Sequence, residues 1–115
     1  MKPFIRNGLL ITAGAVVAGA AISAAATFAL PAMGEFPVHW GADGSPDRWA
    51  DRAGAVRYLW IMPAITLAVG LLLAAVPVID PRKGNIETGR RGYVAVWLGV
   101  MVLLTCIHGG TALQM

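Results

Sequence analysis

The chain has little charge, and the charge it has is confined to short segments. Only 13% of its 115 residues are Asp, Glu, Lys or Arg, against ~25% in an ordinary soluble domain. Three long stretches carry none of the four: Asn7–Gly34, Tyr58–Ile79 and Gly92–Met115. Cysteine is almost absent as well. Cys106 stands alone, which excludes an intramolecular disulfide, and its place in the third stretch predicts a small buried apolar side chain. No run of basic residues interleaves with aromatics, so nucleic acid is not an expected partner. There is no Gly-rich phosphate loop, Ser/His/Asp set or zinc spacing. No uncharged stretch holds a carboxylate or a polar file, which argues against an ion or proton pathway within this chain. The chain is therefore expected to be no enzyme and to need no cofactor.

What is present is apolar, at 57% of residues. A helix rises about 1.5 Å per residue, so about 20 residues cross the ~30 Å hydrocarbon core of a bilayer. Each uncharged stretch is long enough. The reading is a single all-α integral membrane domain over residues 1–115. Its spans fall at about 8–30, 58–79 and 93–114, joined by an outer loop at 31–57 and a cytoplasmic loop at 80–92. Lys2 and Arg6 ahead of an apolar run, with Ala24-Ala25-Ala26 further on, also outline a secretory signal. The run stays apolar to Gly34, past a usual signal core, and this favours a retained span.

Orientation follows from Lys and Arg. The tail (Lys2, Arg6) and second loop (Arg82, Lys83, Arg90, Arg91) share one side and hold 2 + 4 = 6, against 3 in the first loop (Arg48, Arg52, Arg57). The positive-inside rule places the N-terminus in the cytoplasm and the C-terminus outside, in a bacterial cytoplasmic membrane.

The spans differ in character. Ala15, Gly19, Ser23 and Thr27 recur every four residues, a small-residue ridge of the kind that lets helix backbones approach closely in lipid. Thr66, Gly70 and Ala74 repeat the device in the second span, which also holds Pro63 and Pro77. Each proline removes a backbone hydrogen bond and tends to kink its helix. The third span has Trp97 towards its cytoplasmic side and His108 towards the outer side.

The outer loop reads as a soluble element of its own. Ser45 can cap a helix, Pro46 suits its first position and Asp47 its positive dipole end. Trp49, Ala53 and Val56 then share one face, with Asp47, Arg48, Asp51 and Arg52 on the other. This predicts a short amphipathic helix on the outer membrane surface, with Trp40 and Trp49 at the headgroups.

The segments Leu30-Pro31, Phe36-Pro37-Val38-His39-Trp40-Gly41 and Gly44-Ser45-Pro46-Asp47-Arg48-Trp49 together resemble a known pattern. It is that of the N-terminal domain, of unknown function, in the SdpI-like immunity membrane protein family. The second loop, Asp80-Pro81-Arg82-Lys83-Gly84-Asn85-Ile86 followed by Tyr93, is similar to that family's segment between its second and third helices. The resemblance implies a membrane fold and a binding role. Its C-terminal helical region has no counterpart here.

The functional expectation is a non-catalytic module that sits in the lipid bilayer and recognises a membrane peptide or protein. Its contacts are expected at His39, Trp40, Asp47 and Trp49. The alternative is an accessory subunit within a larger membrane enzyme complex. His39 and His108 are weak candidates for a shared metal or haem, lacking a third ligand by spacing. The competing expectation has His108 hydrogen-bonding a neighbouring helix and His39 pinning the loop. Asp43, Ser45 and Asp47 alternate like a calcium loop, but Gly54 stands where a Glu ligand is needed.

Overall fold

In the computed structural model, which describes residues 1–115 except the side chain of Lys83, the chain forms three long helices and a hairpin. Helix α1 spans Pro3–Ala29, strands β1 and β2 span Phe36–Trp40 and Pro46–Ala50, and α2 spans Arg52–Ile79. A short α3, Lys83–Thr88, leads into α4, Arg90–Gln114. All three long helices are long and apolar enough to cross a membrane. The protein is an all-α integral membrane protein with one small β-hairpin. Each long helix begins ahead of its expected span, because the charged residues that precede the span are helical too.

The expected surface helix does not form. Residues 46–50 instead pair antiparallel with 36–40, Phe36 opposite Ala50 and Pro37 opposite Trp49. Ser45 caps nothing. The strands are joined by a tight turn in which Gly44 N–H donates to the Gly41 carbonyl and Gly41 N–H to the Ser45 carbonyl, at 3.0 and 2.9 Å. Gly44 takes φ +82°, the left-handed position that closes such a loop. The Asp43 carboxylate accepts from Ser45 N–H at 3.0 Å. Capping signals are local and weak. Here Phe36, Val38 and Trp40 offered a better β partner than one turn of isolated helix. The true start of α2 lies at Asp51, whose side chain accepts from Gly54 N–H at 2.9 Å. Ala53, expected on the buried face, is exposed, and Gly54 and Ala55 are buried instead.

Helix α1 packs along both α2 and α4. Its buried row is Gly8, Thr12, Gly19 and Ser23, with Ala15 and Thr27 half-buried. The facing row of α2 is Leu59, Pro63, Thr66 and Gly70, with Ala74 half-buried. Trp97, Met101 and His108 come in from α4. Cys106 is exposed on the outer, apolar side of α4. This corrects the expectation of burial: it lies two residues from His108, which faces inward, so it must face out.

The half of the bundle away from the hairpin is organised by Thr12 and Trp97. Trp97 is fully buried and its indole N–H donates to Thr12 Oγ1 at 2.9 Å. That hydroxyl donates in turn to the Gly8 carbonyl at 3.0 Å. Two glycines make the room. A Cβ on Gly8 would run into the Trp97 ring, and one on Gly70 into the Thr12 side chain. Tyr93 packs edge-on between Trp97 and Phe4. Its hydroxyl donates to the Leu73 carbonyl at 2.6 Å. That carbonyl is the one Pro77, four residues on, cannot serve.

Gly8→Ala and Gly70→Ala should each lower stability by about 1–3 kcal/mol through overpacking. Gly14→Ala, whose Cβ meets nothing within 4 Å, should be neutral. Thermal unfolding in mild detergent reads both; equal midpoints for Gly8→Ala and Gly14→Ala would refute the close approach.

Candidate functional site

The hairpin is seated on the bundle by its apolar face. Phe36 and Val38 are buried against Ala55, with Leu30, Tyr58 and Met115 around them. Trp40, the next residue on that face, is half-buried and lines a small cleft with Ile107 and Thr111 of α4. Two polar ties fix the hairpin's junctions. Arg52 Nη2 donates to the Thr27 carbonyl at 2.8 Å, placing a cation on the last turn of α1, where carbonyls lack helical donors. Arg48 Nη1 donates to the Tyr58 hydroxyl at 3.1 Å.

The exposed face carries the chemistry. His39 Nδ1 and Asp47 Oδ1 meet across the strands at 2.5 Å, both side chains about half exposed. The structure thus brings together two of the four sequence candidates and separates the others. Trp40 is turned inward to α4, while Trp49 is 54% exposed. His39 and Asp47 lock the hairpin, Trp40 seats it, and Trp49 is the large ring of the hairpin left exposed.

Below the hairpin lies a buried polar cluster. Ser23 Oγ donates to the Leu59 carbonyl at 2.6 Å. Pro63 is four residues after Leu59 and has no N–H, so this carbonyl has no donor within its own helix. Ser23 Oγ also contacts His108 Nε2 at 2.9 Å, and the Gly19 carbonyl lies 3.2 Å from the same nitrogen. The proton positions follow by elimination. Both carbonyls can only accept, and the single Ser23 hydroxyl proton is taken by Leu59. Nε2 must therefore carry the imidazole proton and donate to Ser23 and Gly19. Nδ1 is buried with no hydrogen-bond partner.

His39 and His108 share no hydrogen-bond partner; each is engaged by a different group. Among the described residues no group of three or more His, Cys, Asp or Glu is placed to hold a metal ion. Within the calcium-like alternation, Asp43 accepts from the turn and Asp47 contacts His39. The Thr12–Trp97 bond was not read from the sequence; a hydrogen bond from His108 to a neighbouring helix was expected, though not Ser23 as its partner. For Ser23 and Tyr93 a signal existed: each proline in a spanning helix frees a carbonyl that must find a donor.

Fold and site together define a small multi-pass membrane protein whose first two helices are joined by a structured hairpin. A family model, that of a domain of unknown function (DUF1648), matches residues 14–67, and the chain is similar to that domain from Gly14 in α1, through the hairpin, to Leu67 in α2. The stretch includes Ser23, the His39–Asp47 pair and Pro63, and stops short of the Asp80–Tyr93 segment and of α4. No curated protein and no solved structure matches the chain.

Ser23→Ala should cost about 0.6–1.7 kcal/mol, the range of hydrogen bonds between membrane helices. In a Pro63→Ala background residue 63 regains its N–H and serves Leu59 itself, while keeping the Cβ that faces Gly19. There the Ser23→Ala cost should fall by at least half. An undiminished cost in a double-mutant cycle would mean that Ser23 does not replace the missing bond.

Proposed function

We propose that this chain is a non-catalytic membrane binding module whose hairpin recognises a membrane peptide or protein. One observation carries the reading. Strand β2 lies at the edge of a two-stranded sheet, is exposed from Pro46 to Trp49, and is held rigid by the His39–Asp47 contact and the Phe36–Val38 seat. An unpaired edge offers backbone donors and acceptors to an extended segment. Trp49 adds a large apolar contact, the residue type that dominates binding hot spots. Rigidity matters, since a preformed edge avoids the ordering cost of a loose loop. The resemblance of residues 30–49 to SdpI-like immunity proteins supports the same reading.

Trp49→Ala should reduce partner recovery after mild-detergent purification, by the equivalent of about 2 kcal/mol for a hot spot, while the amount in the membrane stays normal. Trp49→Phe should keep it. His39→Ala and Asp47→Ala should each weaken recovery, and the double variant no further, because the two act as one contact. If Trp49→Ala and the hairpin variants all retain the partner, the hairpin is only an interfacial anchor. The partner would then lie on the helix faces, as an accessory subunit requires.

The same reading orients the protein in a bacterial cytoplasmic membrane with its N-terminus and α3 inside and its hairpin and C-terminus outside, on the 6-to-3 count of basic residues. Single cysteines at Ser45 and Gly84, in a Cys106→Ala background, test it. Both positions are exposed. An impermeant thiol reagent on whole cells should label Ser45→Cys alone; labelling of Gly84→Cys alone reverses the orientation.

A further inference from the structure

The end of the bundle opposite the hairpin holds a second feature, independent of the partner proposed above. A groove of about 440 Å³ opens where α1 and α4 begin, within the ~300–1,000 Å³ range of small-molecule sites. Its rim carries Lys2, Arg90 and Arg91 against one carboxylate, Glu87. Lys2 pairs with Glu87 and holds its carboxyl below the usual range, so Glu87 is ionised at neutral pH and the rim keeps a net charge of +2 (three cations less one carboxylate). Arg90 spends one N–H on the Glu87 carbonyl at 3.3 Å. Arg91 is exposed and has no hydrogen bond or ion pair among the described residues. The floor is apolar: Phe4, which is buried and braced edge-on by Tyr93, and Val94.

We propose that this groove binds an anionic phospholipid of the adjoining leaflet. Its ligand must carry negative charge and hydrocarbon together, because cations line the rim and apolar side chains line the floor. The groove sits at the first turns of two spanning helices, the level of the headgroups. Arginine suits a phosphodiester, since its planar fork gives two parallel hydrogen bonds to phosphate oxygens. Basic pockets between spanning helices hold anionic headgroups by this chemistry. Glu87 is the opposing element: it neutralises Lys2 and repels the headgroup.

The test uses the full chain reconstituted in vesicles of equal phosphatidylcholine and phosphatidylglycerol, then extracted gently, with retained lipids counted by native mass spectrometry. The wild type should be enriched in phosphatidylglycerol. Arg90→Gln with Arg91→Gln should bring the ratio down towards that of the vesicle, at about fivefold per arginine (about 1 kcal/mol each). Glu87→Gln should raise it, an opposite sign that loss of folding cannot produce. Arg48→Gln with Arg57→Gln, at the hairpin end, should leave it unchanged. The proposal is overturned if the Arg90/Arg91 variant keeps wild-type enrichment, if Glu87→Gln fails to raise it, or if the Arg48/Arg57 variant lowers it equally. Complete displacement by inorganic phosphate would also overturn it, since the ligand would then be phosphate alone.

Discussion

The bundle depends on the two prolines of α2. A helix in lipid has no water to satisfy a freed carbonyl, and Pro63 and Pro77 free two, at Leu59 and Leu73. Both are taken by hydroxyls from neighbouring helices, Ser23 of α1 and Tyr93 of α4, each at 2.6 Å. A defect that would weaken an isolated helix becomes the point at which another helix is fastened. The two fastenings lie well apart along α2, so α1 is tied to it near one end and α4 near the other. The two bonds fix which face of α1 and which face of α4 turn towards α2 at these levels.

The remaining polar groups extend from these points. Ser23, having given its proton to Leu59, is left an acceptor and receives His108 of α4, which joins all three helices at one level. Trp97 and Thr12 join α1 and α4 on the other side of the middle. Between these levels the buried side chain of Met101 packs among small residues and close backbones, and dispersion rather than hydrophobicity drives such association. The ridge on α1 is therefore used within the chain. The two surfaces outside it that carry distinctive chemistry, and on which the proposals above rest, lie at opposite ends: an aromatic strand edge on the hairpin, and a cationic groove at the starts of α1 and α4.

The hairpin's position follows from its junctions. α1 ends at Ala29 and α2 starts at Arg52, so a long connection, residues 30–51, joins two antiparallel helices. A connection of that length without structure would be mobile. Pairing β1 with β2, burying Phe36 and Val38, and tying Arg52 to the last turn of α1 convert it to a fixed element. Among the described residues the His39–Asp47 contact is the only side-chain polar lock across the strands, which is why these two residues matter to the hairpin's shape whatever it binds.

The sequence alone determined the membrane-spanning class and the number and approximate places of the three spanning helices, because uncharged length is a one-dimensional quantity read directly against the thickness of a bilayer. It also marked Gly19, Ser23 and Gly70, since ridge periodicity is set by helix geometry, and it singled out the loop around His39 and Asp47. It misplaced the start of α2: a Ser-Pro-Asp turn carries the same local signal whether a helix or a strand follows. Only tertiary structure decided between them, by bringing Phe36–Trp40 alongside Pro46–Ala50. Tertiary structure alone also decided which hydroxyl answers which proline, that His108 meets Ser23, and that Cys106 faces outward. Each of these is a relation between residues 20 to 85 positions apart or a rotation about a helix axis, and neither is written in the local order of the chain.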